Sequence, residues 1–331
     1  MRNRTRLVGF ALTLVFLALA FWRVDFDELR TTLASANYWY VLPAAALTLV
    51  GYMWRSLRWK RILRPSASST TRRLFPILMI GFMANNVLPV RMGEFVRAYY
   101  LQQQEGVRKS LGLATIFLER LFDGLVLVLF VGLLSLVNPL PDWGAELAYI
   151  AATIFLSAAA IIVALLFRED LFLRLVAVAL SPLPVRIGEW VQSKLCFFVD
   201  GLEALRRRRA VASVIAMSIL VWLCEASAYY LIMRGFSLPL AGAASVFAAI
   251  FLLVIVNLGI MVPSAPGYVG TFQFFGVLAL SAFGVRRETA LSVAIVSHTM
   301  QYILVTSIGL FFVWRMHLSW QRLGKDAQEL A

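Results

Sequence analysis

Apolar runs of helix length follow one another along this 331-residue chain, each closed by charged or helix-breaking residues. A segment that crosses bilayer hydrocarbon needs about 20 mostly apolar residues. Runs of this kind lie near 7–22, 38–54, 111–137, 147–167, 211–233, 241–262, 266–284 and 289–314. Strands of a membrane barrel would read as short alternating segments instead. The expectation is an all-α, polytopic integral membrane bundle of about eight spanning helices, with one or two re-entrant or broken segments. Composition agrees. The chain is 61% hydrophobic and 15% charged, whereas a soluble domain carries roughly 25% charged residues.

Net charge is +13, and its placement carries the information. Basic residues cluster in 2–6, 55–73, 91–109, 168–209 and 315–325, while 22–38, 138–146, 234–240 and 285–288 are poor in Lys and Arg. Positive residues concentrate on the cytoplasmic side. The pattern therefore places both termini in the cytoplasm of a bacterial-type inner membrane. The runs Arg55, Arg58, Lys60, Arg61, Arg64 and Arg206 to Arg209 read as topology-fixing residues that touch anionic lipid. No nucleic-acid motif accompanies the charge, so nucleic acid is not an expected partner. Cys196 and Cys224 are too few for a disulfide framework and read as packing residues. No Cys/His spacing fits a zinc site, and no hydrolase or nucleotide signature occurs, so neither a metal nor a cofactor is expected. Ala18-Leu19-Ala20 formally fits a signal-peptidase site, whereas Phe21-Trp22 fits the aromatic belt at the end of a retained span.

The run 74–90 has basic flanks on both sides, so it cannot cross once; it reads as re-entrant from the cytoplasmic side. The stretch 263–270, Pro-Ser-Ala-Pro-Gly-Tyr-Val-Gly, will not hold a regular helix. It is either a tight turn between two spans or a second broken region. Segment 168–209 reads as cytoplasmic. Within it, Val191, Leu195, Phe198, Leu202 and Leu205 give an amphipathic stripe. Residues 88–96 are echoed at 183–191 with seven of nine positions identical. The echo reads either as an internal repeat or as reuse of a helix-entry sequence.

Asn85 to Arg97 is a polar, Pro- and Gly-broken segment in a chain otherwise suited to lipid. Irregular polar backbone at membrane depth must line a cavity or be packed in protein. Glu94 and Arg97 share a helix face by spacing. Gly93 stands at a helix start, where an anion is favoured, so Arg91 and Arg97 are candidates for binding a phosphate. Glu119, Arg120 and Asp123 lie deep in an apolar run and must pair, face the bundle interior or meet a ligand. Glu225 sits mid-run, where a carboxylate either protonates or finds a partner, and it is the candidate for proton coupling. His298 and Gln301 read as hydrogen-bonded packing residues.

Asn86-x-x-Pro89-x-Arg91-x-Gly93-Glu94-x-x-Arg97, Glu119-Arg120-x-x-Asp123 and Pro263-x-x-Pro266-Gly267-x-x-Gly270 together resemble the lysylphosphatidylglycerol synthase transmembrane-region family, also called flippase-like. The resemblance covers nearly the whole chain. This family is similar to the membrane half of the multiple peptide resistance factor, which is associated with moving aminoacylated phosphatidylglycerol between leaflets. It implies a single domain over 1–331 that translocates a phospholipid or lipid-linked headgroup. The implied substrate-binding residues are Asn86, Arg91, Glu94, Arg97, Glu119, Arg120, Asp123, Pro266, Gly267, Gly270 and Gln273. Gln273 departs from the glutamate usual at that place. The soluble aminoacyl-transferase domain of the resistance factor is missing from these residues, which disfavours lysyl-lipid synthesis by this chain alone. The competing expectations are a membrane subunit for a separate lipid synthase and an integral-membrane headgroup transferase using Glu119 and Asp123.

Overall fold

The computed structural model describes residues 2–64, 67–88, 92–167, 203–206, 208–262 and 266–318. Pro89, Arg91, Cys196, Pro263, the echo at 183–191 and most of segment 168–209 lie outside them. The described residues form helices α1 (Arg2–Phe21), α2 (Phe26–Ser35), α3 (Val41–Leu63), α4 (Thr71–Val87), α5 (Gly93–Glu105) and α6 (Lys109–Val137). These are followed by α7 (Asp142–Phe167), α8 (Arg208–Gly235), α9 (Ala243–Gly259), α10 (Thr271–Ser281) and α11 (Arg287–Arg315). No strand occurs among the described residues, and the all-helical polytopic architecture is the one the apolar runs imply.

Among the described residues four helices are long and apolar enough to cross a membrane: α6, α7, α8 and α11. A fifth arises if α2 and the Tyr38–Leu63 helix, bent by 68°, act as one span. The 17-residue α9 is ~25 Å long and the 11-residue α10 only ~16 Å at 1.5 Å per residue. Neither matches a hydrocarbon core of about 30 Å. The apolar runs 241–262 and 266–284 thus fold as two short helices on either side of a Pro/Gly break. The break is real: Pro266–Tyr268 forms one tight turn, with Gly267 at φ 73° and Gly270 at φ 83°.

α3 lies along α8, and α4 packs against α5 and α11. α9, α10 and α11 pack in succession, and α6 touches α5, α7 and α8. The buried apolar residues form two clusters. The larger runs through α6 to α11. The smaller joins Trp59 and Leu63 of α3 to α4, α5 and the C-terminal half of α11. Outside, large apolar side chains stand exposed, including Leu136 at 81%, Trp39 at 78% and Tyr149 at 75%. Such a surface is an aggregation liability in water and the normal face of a protein in lipid.

The α4–α5 hairpin is held backbone to backbone. A Cβ on Gly93 would lie 1.9 Å from the Gly81 carbonyl oxygen. A Cβ on Gly81 would lie 2.1 Å from Cγ of Arg97. Asn85 completes the contact by accepting the Gly93 N–H at 2.8 Å, which satisfies one donor at the start of α5. Asn85 is buried and stays inside the hairpin for this reason. Gly93→Ala is expected to lower stability by ~1–3 kcal/mol, the range for overpacking a tight contact. A thermal melt of the detergent-purified protein checks this. Gly106→Ala, whose Cβ meets no atom within 4 Å but whose φ is +69°, is expected to cost only the left-handed backbone strain of ~1 kcal/mol.

Candidate functional site

Where α3, α5, α6 and α8 converge, four arginines meet four carboxylates. Helical spacing presents them: Arg55 and Arg58 on α3, Glu94 and Arg97 on α5, Glu119 and Asp123 on α6, with Glu225 facing them from α8. Arg120 completes the set from the adjoining face of α6.

Asp123 is the hub. Its Oδ1 accepts from Arg58 Nη1 at 2.6 Å and from Trp222 Nε1 at 3.2 Å. Its Oδ2 lies 3.6 Å from Arg55 Nη1 and 3.5 Å from Arg120 Nη1. Arg58 Nη1 also donates to Ser218 Oγ at 2.7 Å, and that hydroxyl in turn donates to the Val214 carbonyl at 2.9 Å. Arg55 Nη2 donates to Glu225 Oε2 at 2.9 Å. The mid-helix carboxylate of α8 therefore has a cationic partner.

A second pair lies deeper. Arg97 Nη2 donates to Glu119 Oε2 at 2.7 Å, and its guanidinium sits 4.1 Å from the Trp59 ring centroid. Arg97 and Glu119 are each 2% exposed. Trp59 is fixed in turn by its indole N–H, which donates to Thr115 Oγ1 at 3.1 Å. The third pair is shallower: Arg120 Nε donates to Glu94 Oε1 at 2.9 Å, with about a third of each side chain exposed.

A cavity of about 180 Å³ opens beside the network. Arg55, Glu94, Arg120, Asp123 and Glu225 line it together with Asn85, Asn86, Trp222 and Tyr229. Its apolar lining comes from Leu127 and Phe155 and from Val256, Ile260 and Met261 near the C-terminal end of α9. The Pro/Gly break adds Tyr268, α10 adds Phe272, and α11 adds His298, Gln301 and Tyr302.

A chain of hydrogen bonds holds the break in shape. Gln273 Oε1 accepts the Gly270 N–H at 2.8 Å, and Gln273 Nε2 lies 3.0 Å from His298 Nδ1. His298 Nε2 lies 2.7 Å from the Gly267 carbonyl oxygen. An amide donor on one side and a carbonyl acceptor on the other fix a neutral imidazole with its proton on Nε2. A glutamate at 273 could not supply the donor, so the departure at Gln273 suits this His298. Gly270 must be glycine for a further reason: a Cβ there would lie 2.8 Å from the Thr13 carbonyl oxygen of α1.

The sequence-derived residues thus fall into three groups. Asn86, Glu94, Arg120, Asp123 and Glu225 line the cavity. Arg97 and Glu119 lie behind it as a buried pair, and Pro266, Gly267, Gly270 and Gln273 shape the break. Arg91 is outside the described residues. Sequence reasoning missed Arg55 and Arg58, which were assigned to topology and lipid contact. They are 6% and 1% exposed. The available signal was the charge imbalance within the apolar runs: Glu119, Asp123 and Glu225 were matched there by Arg120 alone, so cations had to come from another helix. Lys60, Arg61 and Arg64 on the other face of α3 remain exposed, as expected.

Removing one partner of a buried ion pair strands the other, at a cost of about 3–5 kcal/mol. Asp123→Ala and Arg97→Ala are expected to lose folded protein on that scale. Glu94→Gln, in a part-exposed pair, should cost at most about 1 kcal/mol. Folded yield by size-exclusion chromatography and thermal melting separate the two classes. Equal losses for all three would show that the buried and shallow pairs are not energetically distinct.

The chain is 25% identical over 300 residues to the UPF0104 membrane protein MJ1595 of Methanocaldococcus jannaschii, covering 86% of this chain and 87% of that one. It is 26% identical over 328 residues to a UPF0104 membrane protein of Methanothermobacter thermautotrophicus, covering 94% of both. It is 26% identical over 340 residues to the glycosyltransferase AglD of Haloferax volcanii, covering 93% of this chain and 54% of that protein. Residues 6–309 match the profile of the lysylphosphatidylglycerol synthase TM region, and the chain belongs to that family of multi-pass membrane proteins.

Proposed function

We propose that this protein is a lipid translocase of the cytoplasmic membrane. A phospholipid or lipid-linked headgroup passes through the cavity between α3, α6, α8 and α11, and the acyl chains stay in the bilayer. The observation that carries this reading is the two-sided lining of the cavity. Charged and amide side chains supply one part, while Leu127, Phe155, Val256, Ile260 and Met261 supply the other. A lipid needs both surfaces at once.

Glu94 and Arg120 are the headgroup contacts, being the network members with most exposure. Arg97 and Glu119 support the wall and do not touch the substrate. Glu225 and Asp123 are candidates for proton linkage, which would act by releasing Arg55. The basic segments face the cytoplasm, and the α4–α5 pair enters and leaves on that side. A membrane subunit serving a separate lipid-modifying enzyme is the second reading. It is favoured by the match to just over half of a relative called a glycosyltransferase.

The test is leaflet-specific chemical labelling in proteoliposomes of native lipid extract, read by mass spectrometry. Wild type is expected to move at least one lipid class between leaflets. Glu94→Gln/Arg120→Gln should slow that movement by about tenfold or more, the scale of one lost charge-assisted hydrogen bond. Movement unchanged in the double variant overturns the site assignment, and no movement with folded wild type overturns the translocase reading.

A further inference from the structure

The cavity's charges are already spent on one another. Its lining holds two guanidiniums, Arg55 and Arg120, and three carboxylates, Glu94, Asp123 and Glu225. Each guanidinium is claimed: Arg55 by Glu225 at 2.9 Å, Arg120 by Glu94 at 2.9 Å, and both again by Asp123. Arg58, behind the wall, takes Asp123 at 2.6 Å. A phosphate or carboxylate seated here would have to displace a carboxylate from its guanidinium in a network whose charges already balance.

A cationic headgroup fares no better. The rings beside the charged wall, Tyr52, Phe82 and Trp222, already face a guanidinium. The Arg55 guanidinium lies 4.9 Å from the Trp222 ring and 5.7 Å from both Tyr52 and Phe82. Arg120 lies 5.5 Å from Phe82. A second cation would meet two fixed like charges.

What the lining does offer is neutral hydrogen bonding beside aromatic rings. Gln301 lines the cavity, with its buried amide towards the Tyr229 hydroxyl. Each carboxylate that faces one guanidinium still has acceptor capacity. Tyr229, Tyr268 and Tyr302 present rings and hydroxyls. From this juxtaposition of a self-neutralised ion network, a neutral amide–hydroxyl pair on the lining and an aromatic-rich wall, we infer that the cavity takes an uncharged polyhydroxyl headgroup: a glycosyl unit on a lipid. Its hydroxyls both donate and accept, so it satisfies carboxylate and amide together without disturbing the charge balance. Any phosphate on the same lipid stays outside the cavity. The inference deepens the translocase reading and rests on it for the role of the site, but its headgroup preference is measurable by binding alone.

Native mass spectrometry of the purified full chain measures that preference. The added probes are glucosyl diacylglycerol, phosphatidylglycerol and lysyl-phosphatidylglycerol at equal concentration. The glycosyl lipid is expected to be retained with about tenfold preference over both others. Gln301→Leu should reduce that preference while the protein stays folded. Glu94→Gln, which uncovers Arg120, should shift retention towards phosphatidylglycerol. Equal or stronger retention of either charged lipid by wild type overturns the inference. In parallel proteoliposomes, movement of a charged lipid but not the glycosyl lipid overturns it while the translocase reading survives. Selective binding with no movement of any lipid sinks the translocase reading and leaves the headgroup class standing.

Discussion

The rest of the structure depends on one carboxylate. Asp123 lies in the middle of a 29-residue apolar helix, 4% exposed, where an unpaired ion is prohibitively costly. It is tolerated because guanidiniums on α3 and an indole N–H on α8 converge on it. Meeting that demand fixes much else. α3 must lie along α8 to bring Arg58 to both Asp123 and Ser218. Trp222 must turn its N–H inward, which lays its ring against Arg55. Glu225, a turn further along α8, then becomes the second partner of Arg55. Electrostatic need rather than apolar burial selects which helix faces meet here, since hydrocarbon is as apolar as the helices themselves.

The two apolar clusters complete the arrangement. Trp59 belongs to the smaller and Trp222 to the larger. Each provides a ring face to one arginine, so the polar network is walled on both sides by aromatic carbon. Low dielectric on both sides strengthens the internal ion pairs and raises the cost of leaving any member alone. The site is thus built as a unit, and its members do not contribute independently.

Much of this was legible in the residues. The all-helical membrane class followed from run length, and the Pro/Gly break from two prolines and two glycines close together. Glu119, Arg120, Asp123 and Glu225 announced themselves as charges in apolar surroundings. Arg55 and Arg58 did not, because they belong to a basic run that continues into exposed Lys60, Arg61 and Arg64. Periodicity along α3 separates the two faces only once a partner helix is known. The interruptions within apolar runs were less legible for a related reason. Hydropathy registers an apolar run whether or not one helix fills it, and it cannot see that 266–284 holds a helix of only 11 residues.

The glycine contact between α4 and α5 has a consequence for motion. With Gly81 and Gly93 in backbone contact and Asn85 clasped between them, the hairpin has no internal slack and must move as one body. Two attachments tie α5 to α6: the dry Arg97–Glu119 pair and the wet Arg120–Glu94 pair. The two differ in what reaches them: salt and water weaken the shallow pair, while the deep pair is shielded from both. The strength of the cavity wall that Glu94 and Arg120 build therefore follows ionic conditions, and that of the wall behind it does not.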